Sequence, residues 1–137
     1  LTAARIFMSG GEAVVHATAS AFIKKMQRYG LRSDALRPAW GMSETCSGIT
    51  YATFRPDSGL EEGGAVCVGP PIAGISLRIV DANGAIAPEG AAGSLQVRGV
   101  SIMSGYHSNE AANRAAFTPD GWFITGDLAL VRKGQLY

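Results

Sequence analysis

Apolar and polar positions in the first part of the chain change period twice. Arg5–Met8 is a short run, three of its four residues apolar, that ends in Gly10-Gly11, as a strand running into a turn does. From Val14 to Tyr29 the period lengthens. Val15, Ala19, Phe22, Met26 and Tyr29 fall at i, i+4, i+7, i+11 and i+14, one narrow helix face, with Lys24, Lys25 and Arg28 on the other side. Gly30 suits a helix stop, and basic residues in the last turns suit the helix dipole. "LRPAW" then leads into a second strand with Pro38 at its start, and the β-branched and aromatic "GITYATF" predicts a third.

Past Pro56 the pattern shortens. "RPDSGLEEGG" reads as a polar loop, followed by strands predicted at Val66–Val68, Ser76–Val80, Ser94–Arg98 and Leu128–Val131. Asn83-Gly84 after "SLRIVD" marks a hairpin turn, and "APEGAAG" another connector. "SNEAANRAAF" predicts one short helix capped by Ser108 or Asn109, with Glu110 in its first turn. The expected fold class is therefore α/β followed by mostly β, the second part a small antiparallel sheet or barrel. Leu1 begins almost inside a strand and "VRKGQLY" stops in a hairpin, so the chain reads as an internal fragment of a longer polypeptide.

Composition narrows this picture only where it departs from the ordinary. Twelve basic and 11 acidic residues give a formal net charge of +1, with no global field toward nucleic acid or a membrane surface. Eighteen glycines in 137 residues exceed the usual ~7% and point to many tight turns or close backbone approaches. The uncharged stretch from Gly63 to Leu77 is broken by Gly69, Pro70, Pro71 and Gly74, which argues against a membrane span. Cys46 and Cys67 are too few for a metal quartet and read as reduced thiols of a cytoplasmic protein.

Three loops gather chemistry: "SGGEA" (9–13), "WGMSET" (40–45) and "WFITGDLA" (122–129). Backbone at Gly10-Gly11 lets a flat ring approach, and Trp40 offers a π face to such a ring. Ser43 and Thr45 carry hydroxyls that donate to phosphate oxygens, Glu44 is a hard oxygen ligand suited to Mg²⁺, and Asp127 is a carboxylate in a tight turn that can accept from two adjacent ribose hydroxyls. Each has a plainer reading, since glycine pairs and Gly-Asp are ordinary turns and a lone Trp is ordinary packing. Their order and spacing together favour a nucleotide site.

That order also resembles the adenylate-forming superfamily of acyl-CoA synthetases, fatty acyl-AMP ligases and the adenylation domains of nonribosomal peptide and polyketide assembly lines. The matching stretches are "MSGGEAV", "WGMSET", "VGPPIAGISLRIVD", "GSLQVRGVSIMSGYHSN" and "DGWFITGDLA", in family order over nearly the whole chain. The resemblance implies part of the family's large N-terminal domain: residues 1–56 as the end of an α/β subdomain with adenine and phosphate loops, and 57–137 as a small distorted β-barrel subdomain with a ribose-binding Asp. It implies that Gly11, Glu12 and Ala13 form the wall against adenine, that Trp40 opposes them, and that Ser43 contacts the α-phosphate. Glu44 would hold Mg²⁺, Asp127 would bind the ribose, and Gly41 and Met42 would border the acyl pocket. Gly99, Gly105 and Tyr106 match positions read as turns and packing. The implied reaction joins a carboxylic acid to ATP as acyl-AMP with release of pyrophosphate, then passes the acyl group to CoA or to the phosphopantetheine of an acyl carrier protein. The family's upstream phosphate loop, hinge and catalytic lysine have no counterpart here, so the isolated chain is expected to be inactive. A non-catalytic interaction module derived from such a domain is the alternative.

The remaining reactive side chains have modest expectations. Cys46 reads as a small buried packing residue, His16 as lying off the apolar helix face, and His107 as held by local hydrogen bonds. Lys24 to Arg37 holds five of the 12 basic residues, either a solvated face or a docking patch for an acidic carrier protein.

Overall fold

The computed structural model describes residues 1–57 and 64–137. Most of the polar loop expected over 55–64 lies outside the described residues. The first unit is a βαβ crossover: β1 (Phe7–Ser9), α1 (His16–Gln27) and β2 (Leu36–Gly41), with β1 and β2 parallel and Phe7 opposite Leu36. A hairpin then returns the chain as β3 (Gly48–Tyr51), antiparallel to β2. Pro38 sits inside β2 rather than at its start. Its carbonyl still accepts from Ala52 N at 2.9 Å, so the missing N–H leaves that side of the strand paired.

Helix α1 is shorter than its sequence pattern. Val15 becomes the N-cap and Arg28 the C-cap, which leaves Val15 and Tyr29 60% and 62% exposed. The buried stripe is Ala19 and Ile23, flanked by Phe22 and Met26, and it packs on Leu31, Ala35, Leu36 and Phe54. Ile23, missed by the narrow face drawn from Val15, is the best buried residue of the helix. Gly30 closes the helix as expected, at φ +83, with its N–H on Gln27 O at 3.0 Å and Leu31 N on Met26 O at 3.2 Å. His16 packs its ring 5.2 Å from that of Phe54, and its Nδ1 lies 3.5 Å from Ser20 Oγ. Lys24, Lys25 and Arg28 are solvated, whereas Arg32 forms a bidentate pair with Asp34 and Arg37 donates to the Asp34 carbonyl.

The second unit is an antiparallel meander of β4 (Ile75–Val80), β5 (Gly93–Gly99) and β6 (Phe123–Ala129), followed by the hairpin β7 (Val131–Arg132) and β8 (Gln135–Leu136). Ile75, Ile79, Leu95, Val97, Phe123 and Leu136 form its core, and Ile49 of β3 joins them. The strand expected at Val66–Val68 does not form. That segment runs extended and is held by single links, Val68 N to Leu136 O at 2.9 Å and bridges Gly69–Leu136 and Thr50–Pro71. It thereby stitches β3 to β8. Only glycine fits at 69, because a Cβ there would lie 1.9 Å from Tyr51 O and the φ is +93. Helix α2 (Glu110–Ala116) is capped by Asn109, whose Oδ1 accepts from Ala112 N at 3.1 Å. No helix among the described residues is long and apolar enough to cross a membrane.

Candidate nucleotide site

The stretch "WGMSETCSG" is the β2–β3 hairpin loop, with a single 3₁₀ turn at Ser43–Thr45. Close packing at its neck demands glycine at 41, where a Cβ would lie 2.2 Å from Ser47 O. Thr45 does not face a ligand. It is 1% exposed, its hydroxyl accepts from Met42 N at 3.0 Å, and its single hydrogen lies between two carbonyl acceptors, Ser47 O at 2.7 Å and Met42 O at 2.9 Å. Its task is to hold the loop shut, which corrects the expectation of a phosphate donor. Cys46 is also corrected. It is exposed, at φ +67, because it caps the 3₁₀ turn with its N–H on Ser43 O and turns its side chain outward. Cys67 is half-buried, and both thiols are free.

Two β-bulges set the positions of the two main candidate ligand groups. In the β2–β3 ladder Trp40 faces Thr50 and Gly41 faces Gly48, so Ile49 is the extra residue and the register breaks beside Trp40. In the β5–β6 ladder Ser94 faces Leu128 and Gln96 faces Ile124, so Leu95 alone stands opposite Thr125, Gly126 and Asp127. Bulges re-aim side chains that a regular strand would point across the sheet. Asp127 therefore lies within β6, on a bulge with Gly126 at φ +84, and not in a turn ahead of a strand at Leu128–Val131. The bulge is internally bonded: Thr125 Oγ1 donates to Leu95 O at 2.9 Å and accepts from Asp127 N at 3.1 Å. Trp40 N is likewise bonded to the buried Thr50 hydroxyl at 3.3 Å.

Between these bulges and the loop after β1 is a cleft of about 700 Å³. Gly11, Glu12 and Ala13 line one part, Trp40, Gly41 and Met42 another, and Asp127 with Leu128 a third. Three loops that are far apart in sequence thus meet in one cavity. Across it Trp40 Nε1 donates to Asp127 Oδ2 at 2.8 Å, while Asp127 stays exposed. Ser43 and Glu44 are not among the lining residues; they stand on the 3₁₀ turn immediately beyond Met42, Ser43 exposed and Glu44 half-buried.

Glu44 has a partner that sequence reasoning assigned to packing. Tyr106 Oη donates to Glu44 Oε1 at 2.9 Å, and Met103 N donates to the Glu44 carbonyl at 2.8 Å. The bond to Glu44 pushes the Tyr106 hydroxyl above its ordinary pKa of 10.0. Gly105 beside it needs no Cβ: one would fall 2.9 Å from Asn113 Oδ1, which accepts from Tyr106 N. His107, by contrast, is exposed, and the local bonds around it belong to Asn109 and Asn113. The sequence signal for Tyr106 was its place in "SGYHSN", sixty-two residues from its partner. Among the described residues no three His, Cys, Asp or Glu side chains cluster as a metal cage.

The sequence profile of the AMP-binding enzymes matches residues 1–107. The chain belongs to that family. Microperfuranone synthase of Emericella nidulans is 37% identical over 134 residues, covering 96% of this chain and 14% of the synthase. Among solved structures, the adenylation domain of a keto acid-selecting NRPS module bound to keto acyl adenylate superposes with a TM-score of 0.91 at 34% identity, covering 99% of this chain and 30% of that one. McyG A-PCP complexed with phenylalanyl-adenylate gives 0.90 at 38% identity over 96% of this chain and 24% of its own. The fold is accordingly that of part of an adenylation domain's large N-terminal region, and the chain spans a small share of each relative's length.

Proposed function

We propose that this family member contributes the nucleotide-contacting part of a longer ATP-dependent ligase that activates a carboxylic acid as its acyl-AMP. The observation that carries this is the convergence of Gly11–Ala13, Trp40 and Asp127 on one cleft, with the Asp127 carboxylate aimed by a bulge and exposed. Adenine would lie between the Gly11–Ala13 backbone and the Trp40 ring. The ribose hydroxyls would donate to Asp127, and Ser43 would contact the α-phosphate. Glu44, steadied by Tyr106, would hold Mg²⁺, which supplies charge neutralisation on the phosphates when bound.

With the nucleotide so held, the acid's own carboxylate oxygen attacks the α-phosphorus and pyrophosphate leaves. The substrate is already the nucleophile, so positioning and electrostatics carry the step and no general base is needed. Gly41 and Met42, at the cleft's border, would meet the acyl group. Transfer to a carrier-protein phosphopantetheine is the favoured onward step, given the A-PCP neighbour; transfer to CoA is the other. Those two neighbours hold keto acyl and phenylalanyl adenylates, so keto and amino acids are the first substrates to test.

The test is acid-dependent exchange of pyrophosphate into ATP by the full-length polypeptide. Glu44→Gln should demand about tenfold more Mg²⁺ for half-maximal exchange, as loss of a charged ligand implies, with little change in the KM for the acid. Equal loss in both would remove Glu44 from the metal. No exchange with any acid would favour a non-catalytic interaction module.

A further inference from the structure

We infer that Trp40 is a positioning residue for Asp127: its indole N–H pins one carboxylate oxygen so that the other reads the ribose. This rests on the ribose assignment above and adds to it a task that an aromatic ring alone does not perform.

Four bonds carry it. Trp40 Nε1 donates to Asp127 Oδ2 at 2.8 Å, within the range of a charge-assisted bond. The Asp127 backbone is fixed separately, through Thr125 to Leu95 O. The Trp40 backbone is fixed by Thr50, itself fully buried, and the ring packs against the Ile49–Leu95 core. Both ends of the indole–carboxylate bond are therefore anchored by rigid sheet positions beside bulges, whereas the exposed carboxylate has no other side-chain donor among the described residues' bonds at that oxygen. Without the indole, an exposed Asp rotates freely about its terminal torsion and loses entropy when two hydroxyls order it. Phenylalanine or tyrosine at 40 would keep a flat face but carry no N–H at that edge. A role limited to the ring face predicts equal loss of binding for every adenine nucleotide. The pin predicts loss that depends on the sugar.

The experiment measures dissociation constants of ATP, 2′-deoxy-ATP and 3′-deoxy-ATP on the full-length polypeptide. The unaltered protein should prefer ATP over each deoxynucleotide, and Asp127→Asn should abolish that preference. Trp40→Phe should cut it by about tenfold or more, the scale of one hydrogen bond to a charged group, and the double variant should be no less selective than Asp127→Asn alone. Replacing Trp40 by benzothienylalanine, which has the same shape with sulfur in place of the N–H, should reproduce the Trp40→Phe ratio while keeping the packing. If either Trp40 variant weakens all three nucleotides alike and leaves the ratio intact, the pin is overturned while the ribose assignment stands. If Asp127→Asn also leaves the ratio intact, the ribose assignment fails and the pin with it.

Discussion

Thr45 shows how residue type and residue task separate. A hydroxyl in a polar loop is an equally good phosphate donor or loop clamp by sequence alone; burial and three close backbone partners decide for the clamp. Thr45→Val keeps the shape but leaves the Met42 N–H and the Ser47 carbonyl without their partner. It should lower unfolding stability by about 1–3 kcal/mol in a denaturant titration, the cost of stranded buried polar groups. Cys46 is the converse: a residue type that is usually buried, placed outside by a turn at positive φ. It should react with a thiol reagent well ahead of the half-buried Cys67, and Cys46→Ser should remove the fast phase of the reaction. Tyr106 was legible only as a turn and packing position of its motif; its bond to Glu44 crosses between the two units and has no local sequence signal.

At the scale of elements, the sequence patterns predicted β4, β5, α2 and the closing hairpin closely, because each is a local matter of alternation, caps and turn residues. Where pairing partners decide, they misled. Val66–Val68 is apolar enough for a strand but meets only single bridges, and α1 ends where its caps fall and not where its apolar period does. Both bulges, which aim Trp40 and Asp127, depend on cross-strand register and leave no mark in one strand's sequence. A further cross-element tie is Asp120. It accepts from Arg78 Nη1 at 2.7 Å and from Thr118 Oγ1 at 2.6 Å, while Arg78 also bonds Gln96 and lies 4.5 Å from the Trp122 ring centre. These bonds, Arg78 first, lower the Asp120 pKa from 3.8 to about 2. A depressed folded-state pKa means stabilisation present above 3.8 and lost as pH falls through about 2. The melting-temperature difference between the unaltered protein and Asp120→Asn should therefore shrink as pH falls across that window. A constant difference would mean that the carboxylate's charge contributes nothing to holding β4 against the turn before β6.

For the whole molecule, the α/β-then-β order and the three loops that meet at the cleft were legible because the motifs come in family order. Their convergence was not: it requires the Gly69 stitch, the shared Ile49 core and the two bulges to bring Gly11, Trp40 and Asp127 around one cleft of about 700 Å³. Of the groups that converge there, Asp127 is the one whose chemistry the arrangement constrains most. The direct measurement is the KM for ATP, and kcat/KM, of Asp127→Ala in pyrophosphate exchange by the full-length polypeptide. Loss of charge-assisted bonds to the ribose should cost about 2–4 kcal/mol in kcat/KM for ATP, roughly 30- to 1,000-fold, with the KM for the acid little changed. ATP kinetics indistinguishable from those of the unaltered protein would contradict the account.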